Sequence, residues 1–288
     1  MKGIQIEELS KSYGKVRALD RVSVTFEEQK LYGLLGRNGA GKSTLLNIAA
    51  NRIFADEGRV LVDGEPAMEN DRAQGKLYLM SEQNDYPEKM KIRDVFRWSK
   101  DFYPGFDEVY AREIAGRFGL NLNKKTSALS TGYNSIFKIV VGLSVNTPYV
   151  LFDEPVLGLD ANHRDLFYRL LLEKYAETPF TAVISTHIIE EMAHVIERVV
   201  IIDRGRILRD SDCESLLAGC HTVSGPAAAV EEYLEGRSVL NVETLGGLKT
   251  AYVEGAPEGG PLPAGLETGK ADLQKLFIQL TNEGGENK

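Results

Sequence analysis

The stretch GRNGAGKS, Gly36 to Ser43, follows an apolar run that predicts a buried strand and precedes a run that predicts a helix. It fits the phosphate-binding pattern G-x-x-x-x-G-K-[ST] in the strand-to-helix context that the pattern requires. Glycines let the backbone curl so that successive N–H groups point at phosphate oxygens, and the start of the helix adds its positive dipole end. We expect Lys42 to reach the outer phosphates and the Ser43 hydroxyl to bind Mg²⁺. The residues predicted to surround the phosphates are Gly36, Arg37, Asn38, Gly39, Ala40, Gly41, Lys42, Ser43 and Thr44.

Two adjacent acidic residues, Asp153 and Glu154, end another apolar strand pattern, YVLFDEP. The strand is expected to deliver Asp153 to the edge of the sheet that carries the phosphates, where it can hold a metal ion through water. If the strand continues, Glu154 points the opposite way, so that one carboxylate serves the metal and the other an attacking water.

Two further residues gain meaning only from this context. His187 follows the strand pattern FTAVIST. A lone histidine is more commonly an ordinary surface or core residue, but at the end of a parallel strand it can hydrogen-bond a phosphate and its attacking water. Tyr13 is similarly ambiguous, and its ring could stack on a base.

The stretch LSTGYN, Leu129 to Asn134, predicts the start of a helix because an apolar run, IFKIVVGLSV, follows at once. Ser130 or Thr131 can cap this helix. Many helices begin this way, so the residues alone leave open whether the first N–H groups also bind a ligand.

The strand and helix patterns predict the fold class. GIQIEELS and VRALDRVSVTFEEQ alternate apolar and polar residues, as half-buried antiparallel strands do. Later strand patterns, among them RVLVDG and RVVIIDRGRIL, alternate with helical ones, which indicates a mainly parallel sheet covered by helices. Between about residues 85 and 148 only helical periodicity remains, which predicts a helical insertion. We therefore predict a main α/β domain over residues 1–212 and a small α/β accessory domain over residues 213–288.

Composition excludes several classes of protein. The formal charge of -8 over 288 residues argues against a general nucleic-acid binder. Two cysteines are too few for a disulfide framework, which is typical of the reducing cytosol. No apolar run approaches the ~18 residues of a membrane span, and the N-terminal residues lack the pattern of an export signal.

The order of these motifs resembles that of the ATP-binding subunit of an ABC transporter. The resemblance covers roughly residues 1–212 and includes Tyr13, GRNGAGKST, the helical insertion, LSTGYN, LFDEP, LGLD and STH. It implies an α/β P-loop NTPase of the ABC ATPase type, which binds ATP and Mg²⁺ and acts as an ATPase. The resemblance implies that Glu154 is the general base, that His187 orients the γ-phosphate and that Lys42 neutralises phosphate charge.

The resemblance also gives LSTGYN a role, because it stands where LSGGQ usually stands. In the family this signature closes over the γ-phosphate held by a second subunit, so Ser130 and Gly132 would bind phosphate there. Thr131 replaces a glycine and Tyr133 a glutamine. Gln83 is the expected metal-coupling residue, although spacing could equally select Glu82. The remaining residue implied at the site, in LGLD, is Asp160.

The partners implied are a second ATP-binding subunit, identical or related, and a transmembrane permease as a separate chain, with no nucleic acid. These implied partners predict that the protein lies in the cytoplasm, bound to the inner face of the cell membrane through the permease. Likeness to the exporter branch favours export of a drug, peptide or lipid-like substrate. The alternatives are a soluble ABC ATPase not coupled to transport and a regulatory ATP-binding subunit of a heterodimer.

Overall fold

The computed structural model describes residues 2–83, 85–257 and 262–282 of the chain. It divides into two compact units, Met1–Asp210 and Ser211–Lys288. None of the helices in the described ranges has the length and apolar character that a membrane span requires.

Two sheets form the first unit. Its strands are β1 (Gly3–Tyr13), β2 (Val16–Glu27), β3 (Leu31–Leu35), β4 (Glu57–Val62), β5 (Glu65–Pro66), β6 (Leu77–Met80), β7 (Tyr149–Asp153), β8 (Thr181–Thr186), β9 (Arg198–Asp203) and β10 (Arg206–Asp212). A 4-stranded antiparallel sheet has the order β2-β1-β4-β5. A 6-stranded sheet has the order β10-β9-β3-β8-β7-β6, in which β9, β3, β8, β7 and β6 are parallel. The predicted fold class is confirmed.

Helices connect and cover these strands. They are α1 (Lys42–Ala49), α2 (Asp71–Gln74), α3 (Ile92–Phe102), α4 (Glu108–Arg117), α5 (Thr131–Ser144), α6 (Ala161–Glu177) and α7 (Ile189–Met192). Helices α3, α4 and α5, with a 3-10 turn at Thr126–Ala128, lie between β6 and β7. They form the helical insertion expected from the periodicity.

The second unit is an antiparallel sheet with three helices in its described part. Its elements are α8 (Cys213–Ala218), β11 (Cys220–Pro226), α9 (Ala227–Leu234), β12 (Val239–Leu245), β13 (Leu248–Glu254), β14 (Glu267–Lys270) and α10 (Leu273–Asn282). The strand order is β12-β13-β11-β14. Val223, Val230 and Ala251 are fully buried in its core. Because the second unit has its own hydrophobic core, it has the character of a small α/β domain.

Two strand patterns form structures that the sequence did not specify. RVLVDG supplies β4, which pairs with β1 in the antiparallel sheet. RVVIIDRGRIL forms two neighbouring strands, β9 and β10, instead of one. Arg204 (φ 46°) and Gly205 (φ 75°) both have left-handed backbone between them. Two consecutive residues with positive φ are what a tight hairpin turn requires.

The parallel sheet brings the ends of its strands to one edge. All residues of β3, β7 and β8 are buried, as expected for strands covered on both faces. Leu35 of β3 lies beside Thr186 of β8, and Asp153 of β7 lies beside Ser185 of β8. The residues that follow these three strands therefore meet, as polar groups at the carboxyl edge of an α/β sheet commonly do.

Candidate functional site

The loop between β3 and α1 approaches other backbone so closely that two of its glycines are required. A Cβ on Gly36 would lie 2.6 Å from the carbonyl oxygen of Ile202. Gly41 has φ 112°, and a Cβ there would lie 2.6 Å from the carbonyl oxygen of Ala18. Gly41 is also the N-cap of α1, and no side chain caps this helix. Its first N–H groups and its dipole are therefore available to an anion.

Lys42 is the first residue of α1, and its almost completely buried side chain folds back onto this loop. Its Nζ donates to the carbonyl oxygen of Gly36 at 2.7 Å and lies 3.4 Å from Oε1 of Glu154. A buried ammonium held by a loop carbonyl and a carboxylate is a charge-assisted arrangement suited to contact with phosphate oxygens.

Asp153 and Glu154 are separated by a change in backbone conformation. Strand β7 ends at Asp153, which is 3% exposed and accepts a hydrogen bond from Ser185 Oγ at 2.5 Å. Glu154 has φ 47°, in the left-handed region. Its N–H donates to the carbonyl oxygen of Ser185 at 3.0 Å. The strand thus ends at Asp153, so the condition under which pleating would separate the two carboxylates is not met. The turn at Glu154 re-aims its side chain.

His187 and Tyr13 both border the same cleft as the loop. Nδ1 of His187, one residue after β8, lies 2.9 Å from Oε2 of Glu154. Tyr13, at the end of β1, exposes half of its surface. The cleft has a volume of about 470 Å³, within the range of small-molecule sites. Its lining residues are Tyr13, Ala18, Arg37, Asn38, Gly39, Ala40, Gly41, Lys42, Ser43, Thr44, Glu82, Glu154, Leu157 and His187.

The donor atoms beside this cleft fit a magnesium ion that is shared with phosphates. Ser43, Gln83 and Asp153 line one adjoining cleft and supply a hydroxyl, an amide and a carboxylate oxygen. Within the described part of the chain, no group of three His, Cys, Asp or Glu side chains could hold a metal alone. Mg²⁺ characteristically takes one or two carboxylates and completes its shell with phosphates and water. Glu82 lines both clefts, and Gln83 lines the adjoining one. The two residues between which the sequence left the metal-coupling role open therefore both lie at the site.

The signature region lies at the start of α5, and Ser130 is its N-cap. Ser130 Oγ accepts the N–H of Tyr133 at 3.4 Å. A Cβ on Gly132 would lie 2.7 Å from the carbonyl oxygen of Gly158. Ser135 Oγ donates to the carbonyl oxygen of Leu157 at 3.0 Å. The helix start is therefore packed on the 157–160 loop.

Asp160 ends that loop and caps α6. It accepts the N–H of His163 at 2.9 Å, and this hydrogen bond lowers the pKa of its carboxyl group. Ser130, Gly132 and Asp160 are not among the described residues that line the phosphate-loop cleft. The structure thus brings together Tyr13, the loop, Glu82, Gln83, the acidic pair and His187, and leaves these three residues outside the lining of the cleft.

Sequence reasoning missed Lys138 and Arg52, which hold the segment just before Gln83. Lys138 is 4% exposed, and its Nζ donates to the carbonyl oxygens of Ser81 and Glu82 at 2.8 Å each. The available signal was a lysine inside the apolar run IFKIVVGLSV, because lysine is almost never fully buried without partners.

Comparisons with known proteins agree with this geometry. The ABC transporter family profile matches residues 19–157. The ABC transporter ATP-binding protein YtrB of Bacillus subtilis (strain 168) is 30% identical over 97% of this chain and 93% of its own length. The sulfate/thiosulfate import ATP-binding protein CysA of Rhodopseudomonas palustris is 30% identical over 96% of this chain and 79% of its own.

Solved structures share the fold. An ATP-binding subunit of an ABC transporter superposes with a TM-score of 0.67 at 22% identity, covering 75% of this chain and 92% of that one. A dimeric ATP-binding cassette in a post-hydrolysis state, bound to ADP and Pi, gives 0.64 at 23% identity, covering 73% and 98%.

The fold and the site define a P-loop nucleotide-binding protein. More narrowly, the chain belongs to the ABC transporter family as an ATP-binding cassette. It is a Mg²⁺-dependent ATPase.

Proposed function

We propose that two copies of this chain bind ATP between them and use its hydrolysis to power a separate membrane permease. One observation carries the proposal. The phosphate loop, Glu154 and His187 share one cleft, whereas Ser130 and Gly132 are not among the described residues that line it. A second copy, facing the first, supplies the missing surface to each cleft. One chain thus carries both halves of the site, although a related chain could fill the same place.

The roles of the cleft residues follow from their contacts. Lys42 and the first N–H groups of α1 neutralise phosphate charge. Glu154 acts as general base toward a water molecule, and His187 holds that carboxylate and orients the γ-phosphate. Tyr13 presents its ring to the base. Its exposed face leaves room for this contact.

Ser43, Gln83 and Asp153 would hold the magnesium ion. When bound, the ion supplies positive charge against the phosphates. Ser185 orients Asp153 by its short hydrogen bond, so the carboxylate is positioned before the ion arrives.

Across the interface, Ser130 and Gly132 would direct the start of α5 at the γ-phosphate held by the partner. Asp160 lies at the end of the loop on which this helix start packs. Contacts of the 157–160 loop with the partner would link the two sites. The replacement of glutamine by Tyr133 changes the side chain offered to the sugar of the nucleotide.

The helical insertion offers the surface for the permease. Phe96 and Phe106 are buried and build the insertion, whereas Phe102 is 59% exposed and packs edge-to-face on Trp98. An aromatic pair with Phe102 exposed and Trp98 half-buried suits an anchor for a short helix of a partner. Docking there places the chain on the inner face of the cell membrane.

For the transported substrate we propose export of a drug, peptide or lipid-like molecule. The support is the sequence resemblance of residues 213–288, with the terminal helix pattern ADLQKLFIQLT, to the exporter branch. Relatives named for sulfate import match nearly the whole chain, so uptake is the competing direction.

Co-purification tests the coupling to a permease. Tagged full-length chain is recovered from detergent-extracted membranes, and a multi-span protein is expected in stoichiometric amounts. Substitution of Phe102 by Asp should lower that recovery, whereas substitution of the exposed Val109 by Asp, outside the aromatic pair, should not. Recovery with ribosomes only would favour a soluble ABC ATPase.

Transport assays distinguish the two directions. Uptake of candidate substrates into inverted vesicles would support export, and uptake into intact cells would support import.

A regulatory ATP-binding subunit of a heterodimer, whose partner performs most of the hydrolysis, is the second candidate. The replacements at Thr131 and Tyr133 favour it, because they alter the signature. The contact of Glu154 with His187 counts against it, because a subunit that leaves hydrolysis to its partner needs no such pair.

A further inference from the structure

The segment that leads into Gln83 is held by two cations, Arg52 in the turn after α1 and Lys138 on α5. Arg52 follows α1 and donates to Ser81 Oγ at 2.7 Å and to the carbonyl oxygen of Leu79 at 3.0 Å. It also pairs with Asp85 at 2.8 Å. Lys138 of α5 binds the carbonyl oxygens of Ser81 and Glu82. The backbone between β6 and Gln83 is therefore fixed from both sides.

The burial of the Lys138 ammonium group carries a desolvation cost. Every residue of α5 from Ser135 to Ser144 is buried, and an ammonium removed from water must be matched by strong hydrogen bonds. Burial lowers the pKa of Lys138, although Asp85, Glu82 and Asp153 oppose this and Arg52 adds to it. A methionine would fill the same volume without the desolvation cost, so packing alone does not account for a lysine here.

The contacts of Lys138 connect two parts of the site. The residue lies two turns after Ser130, about 12 Å along the helix axis. Its ammonium reaches the two residues that immediately precede Gln83. Ser43, Gln83 and Asp153 line the same cleft beside the phosphate loop. A shift of the Ser81–Glu82 backbone would therefore displace a proposed metal ligand.

We propose that Lys138 is a positioning residue that fixes Glu82 and Gln83 at the magnesium site and ties them to the signature helix. This inference rests on the proposed function of the cleft. Lys138 itself touches neither nucleotide nor metal in this proposal. It acts through the backbone that it binds, as partners of metal ligands commonly do.

The test compares Lys138→Met, Lys138→Arg and the control Lys124→Met in the full-length chain. Lys124 is exposed in the same helical insertion. Hydrogen exchange is measured on peptides covering residues 79–83 without nucleotide. ATP binding is measured in EDTA, and the Mg²⁺ concentration for half-maximal ATPase activity is measured at saturating ATP.

Lys138→Met is expected to speed exchange in residues 79–83 and to raise the Mg²⁺ requirement by about tenfold or more. ATP affinity in EDTA should stay near that of the unaltered chain, because the phosphate loop is unchanged. Lys138→Arg should restore most of both properties, and Lys124→Met should change neither.

Unchanged exchange and an unchanged Mg²⁺ requirement in Lys138→Met would overturn the proposal. Loss of exchange protection throughout the first unit would also overturn it, because Lys138 would then serve packing. If Lys138→Met does not fold, Lys138→Gln, which keeps one donor group, takes its place. If the unaltered chain hydrolyses no ATP, the proposed function fails, while the exchange data still decide whether Lys138 orders this segment.

Discussion

Oε2 of Glu154 lies 2.9 Å from Nδ1 of His187, while the other carboxylate oxygen of Glu154 lies 3.4 Å from Nζ of Lys42. The left-handed backbone at Glu154 makes this arrangement possible, because it turns the side chain away from the end of β7. The carboxylate therefore stands between a residue of the phosphate loop and a residue after the neighbouring strand. This geometry supports the role of general base that we propose for Glu154.

Removal of the Glu154 charge should separate hydrolysis from binding. In Glu154→Gln we expect steady-state turnover to fall about 10²–10⁴-fold, the range of a lost general base. ATP affinity should remain, because the Lys42 contact with Gly36 does not involve Glu154. Phosphate release and equilibrium ATP binding measure the two effects. Glu190→Gln, at an exposed position on α7, is the control. Normal turnover in Glu154→Gln would refute the assignment.

Gly132 tests the packing of the signature helix. A Cβ at this position would lie 2.7 Å from the carbonyl oxygen of Gly158, so Gly132→Ala must move either the helix start or the loop. We expect loss of ATP turnover while single chains still bind ATP. Gly116→Ala, at an exposed position of α4 with open space around it, should keep activity and add about 0.5–1 kcal/mol of stability. Equal activity in the two variants would contradict the role given to Gly132.

Tyr13 tests the proposed contact with the base. If its ring stacks on the base, Tyr13→Ala should weaken ATP binding by roughly tenfold, equivalent to about 1.4 kcal/mol. Tyr13→Phe keeps the ring and should bind normally. The affinities of both variants are measured for ATP and for inorganic triphosphate, which lacks the base. Tyr13→Ala and Tyr13→Phe should differ in their affinity for ATP and not in their affinity for triphosphate. If Tyr13→Ala binds ATP as tightly as Tyr13→Phe, the ring does not contribute to ATP binding and the proposed contact with the base is wrong.

Asp63 should give the first unit a measurable pH dependence. Burial acts to raise the pKa of its carboxyl group, but hydrogen bonds from Tyr149, Lys76 and the Gly3 N–H outweigh burial and hold the pKa below its ordinary value. A lowered pKa contributes stability that is present above the unfolded-state value of about 3.9 and is lost as pH falls through the folded-state value.

Asp63→Asn should therefore lower the stability of the first unit by about 1–3 kcal/mol at pH 7. The difference from the unaltered chain should shrink as the pH falls below about 4. Urea midpoints across this range measure it, with Asp101→Asn at an exposed position as the control. A difference that stays constant with pH would contradict the account.

Local patterns in the sequence predicted the parts of the site that depend on neighbouring residues. The phosphate loop is one such part, since its glycines, lysine and flanking elements lie within a short stretch of chain. Helix α5 and its cap are another. The left-handed turn at Glu154 and the partners of Lys138 were not predictable in this way, because they depend on segments far along the chain. The same holds for β4, whose membership of the antiparallel sheet is decided by pairing with β1.

The mass of Glu154→Gln in solution tests the central claim most directly. The claim is that two copies enclose ATP, with the phosphate loop of one facing Ser130 and Gly132 of the other. With hydrolysis blocked, ATP and Mg²⁺ should shift the protein from 31.9 kDa to twice that mass in light scattering, and Gly132→Ala on the same background should prevent the shift. A protein that binds ATP yet remains at 31.9 kDa would contradict the account.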